Sequence, residues 1–289
     1  MNLNTSRAKD LHFSDTPSAD IANAVISNGF AVLRGAIEKE QIKLIHLNLE
    51  KIYLMHRSLI CNDPSAIKFF TSWGIEEIKA LENGNCSLKQ YEAQFGEIAS
   101  TCSFLEDLKF QQTCSLIFKD GKYHRTGTDT LMTVSPSHQY EGYSTVGIDM
   151  HTDGMYFNDS LYGLTVWIPL QECGRDAPSL DVIVADHHEV RRKSGFALNR
   201  PSLGEKQFNF HHYKKDFFAE QNLRQHFPLE SFLTPEFTPG DVMLFSNWAI
   251  HGTNRNLGLS LSRSAIQLRL EGNHFDPKKS RHFLRRLLL

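Results

Sequence analysis

The segment Gly147-Ile148-Asp149-Met150-His151-Thr152-Asp153-Gly154 holds the residues best suited to chemistry, together with His251 one hundred residues later. Side chains alternate faces along an extended strand, so His151 and Asp153 project to the same side and can chelate one metal ion. His251 completes the set. Two imidazoles and one carboxylate on one face of an octahedral ion leave the other face open, the arrangement associated with non-haem Fe(II) oxygenases. The sequence carries its own control for the spacing. His274-Phe275-Asp276 repeats it, but Pro277 and a Lys/Arg-rich tail follow at once and no strand pattern leads in. A β-like run, Tyr143 to Met150, does lead into His151. A charge buried in a strand needs a partner, and a metal shared by the three residues supplies one.

Downstream, Pro239-Gly240-Asp241 precedes the apolar run Val242-Met243-Leu244-Phe245. Then come Ser246-Asn247-Trp248-Ala249-Ile250-His251-Gly252-Thr253-Asn254 and, twelve residues past the His, Arg263. This order resembles the phytanoyl-CoA dioxygenase family of Fe(II)- and 2-oxoglutarate-dependent oxygenases. There, a Pro-Gly-Asp turn leads to the distal metal His, a Ser or Thr sits two residues on, and an Arg follows about one strand later. Gly29-Phe30-Ala31-Val32-Leu33-Arg34-Gly35, with a charged helix behind it, is similar to the family's opening, and the order of features fits from residue 29 to about 270.

The resemblance implies Fe(II) at His151, Asp153 and His251, with 2-oxoglutarate as co-substrate and O2 as oxidant. It also implies that Arg263 pairs with the distal carboxylate of 2-oxoglutarate, a bidentate task suited to a guanidinium. Arg269 falls on the same strand face and competes for that role; closeness to His251 favours Arg263. Thr253 matches the family's hydroxyl residue and would bind the same carboxylate. Trp167 sits near a residue that lines the 2-oxoglutarate pocket in the family, and equally suits an ordinary core aromatic. A small residue at 153 would leave a metal position for chloride, as in halogenating relatives, whereas the carboxylate implies oxygen insertion. Hydroxylation of an unactivated C–H of a small molecule, with release of succinate and CO2, is therefore the expected reaction. Secondary or amino-acid metabolism is its expected setting, and desaturation, epoxidation or rearrangement begin in the same way. Beyond Leu170 the chain departs from the family's usual turn. It has Asp176-Ala177-Pro178-Ser179-Leu180 and Ala185-Asp186-His187-His188, in which Leu180 and His187 or His188 keep the frame.

These residues must be positioned by a scaffold, and its pattern changes near residue 128. Before it the signal is helical: Ala19 to Ser27 closed by Asn28-Gly29, and Glu38 to about Arg57 with Ile42, Ile45, Leu49, Ile52 and Tyr53 as an apolar stripe. Phe30 to Leu33 is a short strand between them. Residues 63 to 118 read as helix and loop, with Phe104, Leu105, Leu108, Leu116 and Phe118 as core. After it come strand-like runs over Thr130 to Val134, Tyr143 to His151, Gly163 to Pro169, Leu180 to Val184, Val242 to Phe245 and Arg263 to Leu270. Short strands after a helical first half predict a β-sandwich or open barrel buttressed by helices. The resemblance implies the same mainly β core, a double-stranded β-helix or jelly roll. Within Gly163 to Pro169, Leu164, Val166 and Ile168 are expected to pack outward on helices, leaving Thr165 and Trp167 to point inward.

One domain over residues 18–289 is expected, with residues 1–17 mobile and an insert over about 188–237 that serves as a lid or as a helical excursion with its own core. Composition supports an ordinary folded protein: 289 residues, 40% hydrophobic, 22% charged. A formal net charge of -2 excludes a global basic field for nucleic acid. Five cysteines without a Cys-x-x-Cys predict reduced thiols and a cytoplasmic setting, and no apolar run approaches membrane-spanning length. A monomer or homodimer acting on a small molecule is expected. His138 and Arg125 precede the metal strand and can face an anionic substrate, while Tyr143, Tyr156 and Phe157 can line the mouth; solvated or rim positions account for them equally. The basic, leucine-rich C-terminal stretch reads as a helix docked on its own domain. Two other readings of the triad stand beside the oxygenase: a metal-binding jelly roll without turnover, and a zinc hydrolase.

Overall fold

A computed structural model describes residues 10–45, 103–118, 121–125, 130–134, 149–153, 163–194, 218–254, 259–261 and 263–272. Two β-sheets face each other across a core, with helices behind both. The larger sheet contains β1 (Leu11–His12), β2 (Phe30–Arg34), β3 (Tyr123–Arg125), β4 (Thr130–Val134), β5 (Gly163–Pro169), β8 (Val242–Ser246) and β10 (Arg263–Gly272). Its order is β1-β2-β8-β5-β10-β3, with β4 pairing the first half of β10 on the side where β3 pairs the second. The smaller sheet has the order β7-β6-β9, from β6 (Leu180–Ile183), β7 (Phe232–Leu233) and β9 (His251–Thr253). The β core expected from the strand pattern is thus present, and β5 runs over the residues the sequence predicted.

Alternation along β5 and β10 sorts their side chains into two environments. Leu164, Val166 and Ile168 of β5 and Ile266, Leu268 and Leu270 of β10 join the cluster that packs on the helices, as expected. That layer includes Ile21 and Val25 of α1 (Ser18–Asn28), Phe110 and Cys114 of α2 (Leu108–Ile117), and Ile42 and Ile45 of the helix that begins at residue 39. α1 ends where the sequence predicted, on Gly29 with φ 85°, a left-handed value that disfavours a Cβ. α2 starts on Asp107, whose carboxylate accepts from the Lys109 and Phe110 amides at 2.8 and 3.1 Å. The opposite faces of β5 and β10 look at the smaller sheet, where Trp167, Met243, Phe245 and Ala265 pack with Leu180, Val182 and Phe237.

Residues 10–17, expected to be mobile, are instead built into the fold. β1 pairs in parallel with β2, Phe13 is buried against the helices, and Asp10 bonds Arg34 at 2.8 Å. A two-residue strand has no period for sequence reading to detect. The described part of the 188–237 insert adds β7 to the smaller sheet and places α3 (His187–Ser194) and α4 (Glu220–His226) behind it. Val190, Phe218, Leu223 and Phe227 pack there with Ile183, Trp248 and Ile250 of the sheet and the turn before β9, so this core is shared with the rest of the fold. Phe196, Phe208, Phe210, Tyr213, Phe217, His211 and His212 lie outside the described residues, as does the C-terminal stretch. Cys114 and Cys173 are buried free thiols. No helix among the described residues is long and apolar enough to cross a membrane.

Candidate metal centre

His151 and His251 meet backbone to backbone. Each amide donates to the other's carbonyl, at 2.8 and 2.9 Å, forming an isolated bridge that joins the His-x-Asp segment to β9. Gly252 makes the approach possible, since a Cβ there would lie 2.8 Å from the Met150 sulfur and 2.9 Å from its amide nitrogen. β9 is held in turn by β6 through Leu180↔Thr253 and Val182↔His251. The Pro-Gly-Asp turn anchors the strand before it. Asp241 accepts from Arg34 at 2.7 Å, the Gly35 amide at 3.0 Å and the Thr238 amide at 2.9 Å, tying β2 to the start of β8.

This scaffold brings His151, Asp153 and His251 together, with one ligand atom from each lying within 4.8 Å of the others and all three residues buried. The imidazoles are pre-set. His151 Nδ1 lies 2.7 Å from the Asp149 carbonyl and His251 Nδ1 lies 3.0 Å from the Ala249 carbonyl. A carbonyl only accepts, so these contacts place a proton on Nδ1, and in the neutral ring Nε2 is then the nitrogen with a lone pair for an ion. Burial, reinforced by His151, pushes the His251 pKa down to about 4, so its ring is neutral at physiological pH. Burial alone would raise the Asp153 pKa, but Arg269 and the two histidines hold it well below the usual carboxylate range. Thr165 donates to Asp153 Oδ2 at 3.0 Å, and Arg269 Nη2 stands 3.5 Å from Oδ1. Two imidazole nitrogens and one fixed carboxylate are the donor set that a divalent cation such as Fe(II) takes.

The two arginines that parity left unresolved now separate. Arg269 is engaged by Asp153 and Gln267. Arg263 is fully buried; its Nε donates to the Pro178 carbonyl at 3.0 Å, and its Nη1 and Nη2 have no hydrogen-bond partner. Its guanidinium carbon lies 5.1 Å from the centre of the Trp167 ring, which packs edge-on to Phe237 at 4.9 Å. Burial lowers the Arg263 pKa to about 10, still charged at neutral pH. A buried cation with two unmet donors has the form of a carboxylate receptor, and Trp167 flattens it into place. Thr253 is buried two residues beyond His251 in β9.

Arg125 stands on β3 opposite Leu270, whose side chain belongs to the helix-facing layer; the β3 residue on the inner side is His124, opposite Glu271. His138, Tyr143, Tyr156 and Phe157 lie outside the described residues. Sequence reasoning missed three inner-face residues: Thr165 as a partner of Asp153, His124, and Glu271. Parity from Arg263 reaches Glu271, and an acidic residue on the strand face that carries Arg263 and Arg269 was the available signal.

The family model for phytanoyl-CoA dioxygenase (PhyH) matches residues 26–265. No curated protein matches in sequence. Among solved structures, the non-heme alpha ketoglutarate dependent carbocyclase SnoK from nogalamycin biosynthesis is similar with TM-score 0.55 and 10% identity, over 91% of this chain and 87% of that one. EctD from S. alaskensis, solved with 2-oxoglutarate and 5-hydroxyectoine, gives TM-score 0.53 and 15% identity over 93% and 82%. AviO1 from Streptomyces viridochromogenes Tue57 gives 0.51 and 15% over 90% and 97%. These likenesses establish a common fold, the double-stranded β-helix. With the family model spanning most of its length, the chain belongs to the phytanoyl-CoA dioxygenase family.

Proposed function

We propose that this protein is a non-haem Fe(II)- and 2-oxoglutarate-dependent dioxygenase that hydroxylates a C–H bond of a small molecule. The observation that carries the reading is the pairing of two pre-set features: the triad of His151, Asp153 and His251, and the buried Arg263 with two unmet donors. EctD has been solved with 2-oxoglutarate and with Fe, which supports the same cofactors here. His151 and His251 offer Nε2 to the metal because backbone carbonyls hold Nδ1–H, and Asp153 offers a carboxylate kept charged beside Arg269. Arg263, stacked on Trp167, pairs with the distal carboxylate of 2-oxoglutarate, and Thr253 adds a hydroxyl to it. Bound Fe(II) and 2-oxoglutarate supply the oxidation by O2, with succinate and CO2 as co-products. The carboxylate at 153 favours hydroxylation over halogenation, since it fills the position a halide would need. The buried core between the sheets keeps bulk water away from the Arg263 end of the site.

The test is an anaerobic titration of the full-length apoprotein with Fe(II) and then 2-oxoglutarate, monitored for the weak visible charge-transfer absorbance of a chelated 2-oxo acid. The expected result is a saturable band. Fe(II) binding without the band would instead point to a metal-binding module, and absence of Fe(II) binding would remove the triad assignment.

A further inference from the structure

We propose that Glu271 receives a hydrogen-bond-donating group of the substrate, a hydroxyl or a protonated amine, and so selects what enters the oxygenase site; the inference rests on the function proposed above. Glu271 follows Arg263, Gln267 and Arg269 on the inner face of β10, two residues beyond the arginine that touches Asp153. Successive residues on one strand face are about 6.6 Å apart, so its carboxyl stands roughly one such step past the metal-ligand carboxylate's partner. In register it faces Gly163 of β5 on one side and His124 of β3 on the other. Gly163 itself carries no side chain, and Asn247 fills the space a Cβ there would take.

Three acidic residues are buried among the described residues: Asp153, Asp241 and Glu271. Asp241 is satisfied by Arg34, Gly35 and Thr238, and Asp153 by Thr165 and Arg269. Glu271 is the exception, 2% exposed with Oε2 lacking a hydrogen-bond partner. A buried carboxyl oxygen without a hydrogen-bond partner is costly unless a ligand supplies one. Burial pushes its pKa up to about 7, although Arg269 pulls in the other direction, so both ionisation states are accessible near neutrality. In its ionised state the carboxylate only accepts, and the group that satisfies that state must donate. A lone carboxyl beside an arginine is a poor metal site, whereas a substrate O–H or N–H fits. Sites that hydrogen-bond a substrate group reject analogues lacking it far more strongly than apolar pockets reject a missing methylene, which makes Glu271 a specificity determinant.

The experiment uses full-length protein with 13C-labelled glutamate carboxyls, the Glu271 resonance being assigned through Glu271→Gln. It is titrated with n-propylammonium, 1-propanol and, as a donorless control, ethyl methyl ether. The expected result is a saturable shift of the Glu271 resonance with a donor probe and none with the ether. A response to propylammonium alone assigns an amine, and a response to propanol assigns a hydroxyl. Glu271→Asp, which withdraws the charge by one methylene, should weaken the responding probe about tenfold. Donor probes that do no more than the ether would overturn the inference. The Fe(II)-2-oxoglutarate absorbance of the unsubstituted protein is measured in parallel. If it forms while Glu271 is silent, only this inference fails; if it does not form, the underlying function fails.

Discussion

The two faces of β10 share one backbone and differ in almost everything else. Ile266, Leu268 and Leu270 face the helices and share one apolar cluster with residues of β5, β8, α1 and α2. Arg263, Gln267, Arg269 and Glu271 lie on the opposite face and bring a cation and a carboxyl into the interior, with Arg269 part-buried between them. The first face is what hydrophobic burial produces when nothing else is asked of it. The second retains polar atoms without partners, which burial penalises, and it does so beside the triad. A face that departs from good packing beside His151, Asp153 and His251 accords with the binding role proposed for it.

Substitutions can break this contrast. The largest effect is expected from Asp153→Ala on the inner side: a loss of Fe(II) affinity greater than the roughly 100-fold seen when only an outer partner is changed, with turnover abolished. Calorimetric Fe(II) titration checks it, and retained affinity would contradict the assignment of Asp153. Arg263→Met should weaken 2-oxoglutarate by about 2–5 kcal/mol while leaving Fe(II) binding in place. Its stability should be unchanged or higher, because an apolar side chain of similar volume replaces a buried unpaired guanidinium. Urea unfolding of the metal-free variant measures the second half of that statement; a clear loss of stability would mean Arg263 is structural. On the outer face, Leu268→Ala should cost about 2–5 kcal/mol in the same unfolding assay, with 2-oxoglutarate affinity retained in the folded fraction.

The smallest expected effect sharpens the contrast through pH. The folded-state pKa of Glu271 is raised from 4.5 to about 7. Its contribution to stability is therefore fully present below pH 4.5 and is lost as pH rises through about 7, since the unfolded chain releases the proton first. Glu271→Gln removes that dependence. Relative to the unsubstituted metal-free protein it should gain roughly 1–2 kcal/mol between pH 4.5 and 8, after allowance for solvent screening, as read from unfolding midpoints at the two ends. A constant difference across that range would show that Glu271 is not held away from water.

The helix-to-strand change near residue 128, the bounds of β5 and the outward packing of Leu164, Val166 and Ile168 were legible in the chain because each rests on a local period. The triad was legible as well: His151 and Asp153 share a strand face by alternation, and the turn at Pro239-Gly240-Asp241 marks the approach to His251. Parity also brought Arg263 and Arg269 to one face. It stopped there, because residues six apart on a strand are equivalent to any periodic argument. Which arginine touches Asp153 and which is left with two unmet donors depends on the register of β10 against β5 and on the Pro178 carbonyl, eighty-five residues away in the chain. The same holds for Thr165 on Asp153 and for Glu271 opposite Gly163 and His124. β1, β7 and the layer built by α3 and α4 fall in the same class, being too short or too irregular for a period to reveal. The sequence by itself determined which residues can bind a metal and which faces are apolar, since both follow from side-chain chemistry and local alternation. Only the tertiary structure decided which buried charges are compensated and which await a ligand, because compensation is a matter of distances between segments remote in sequence.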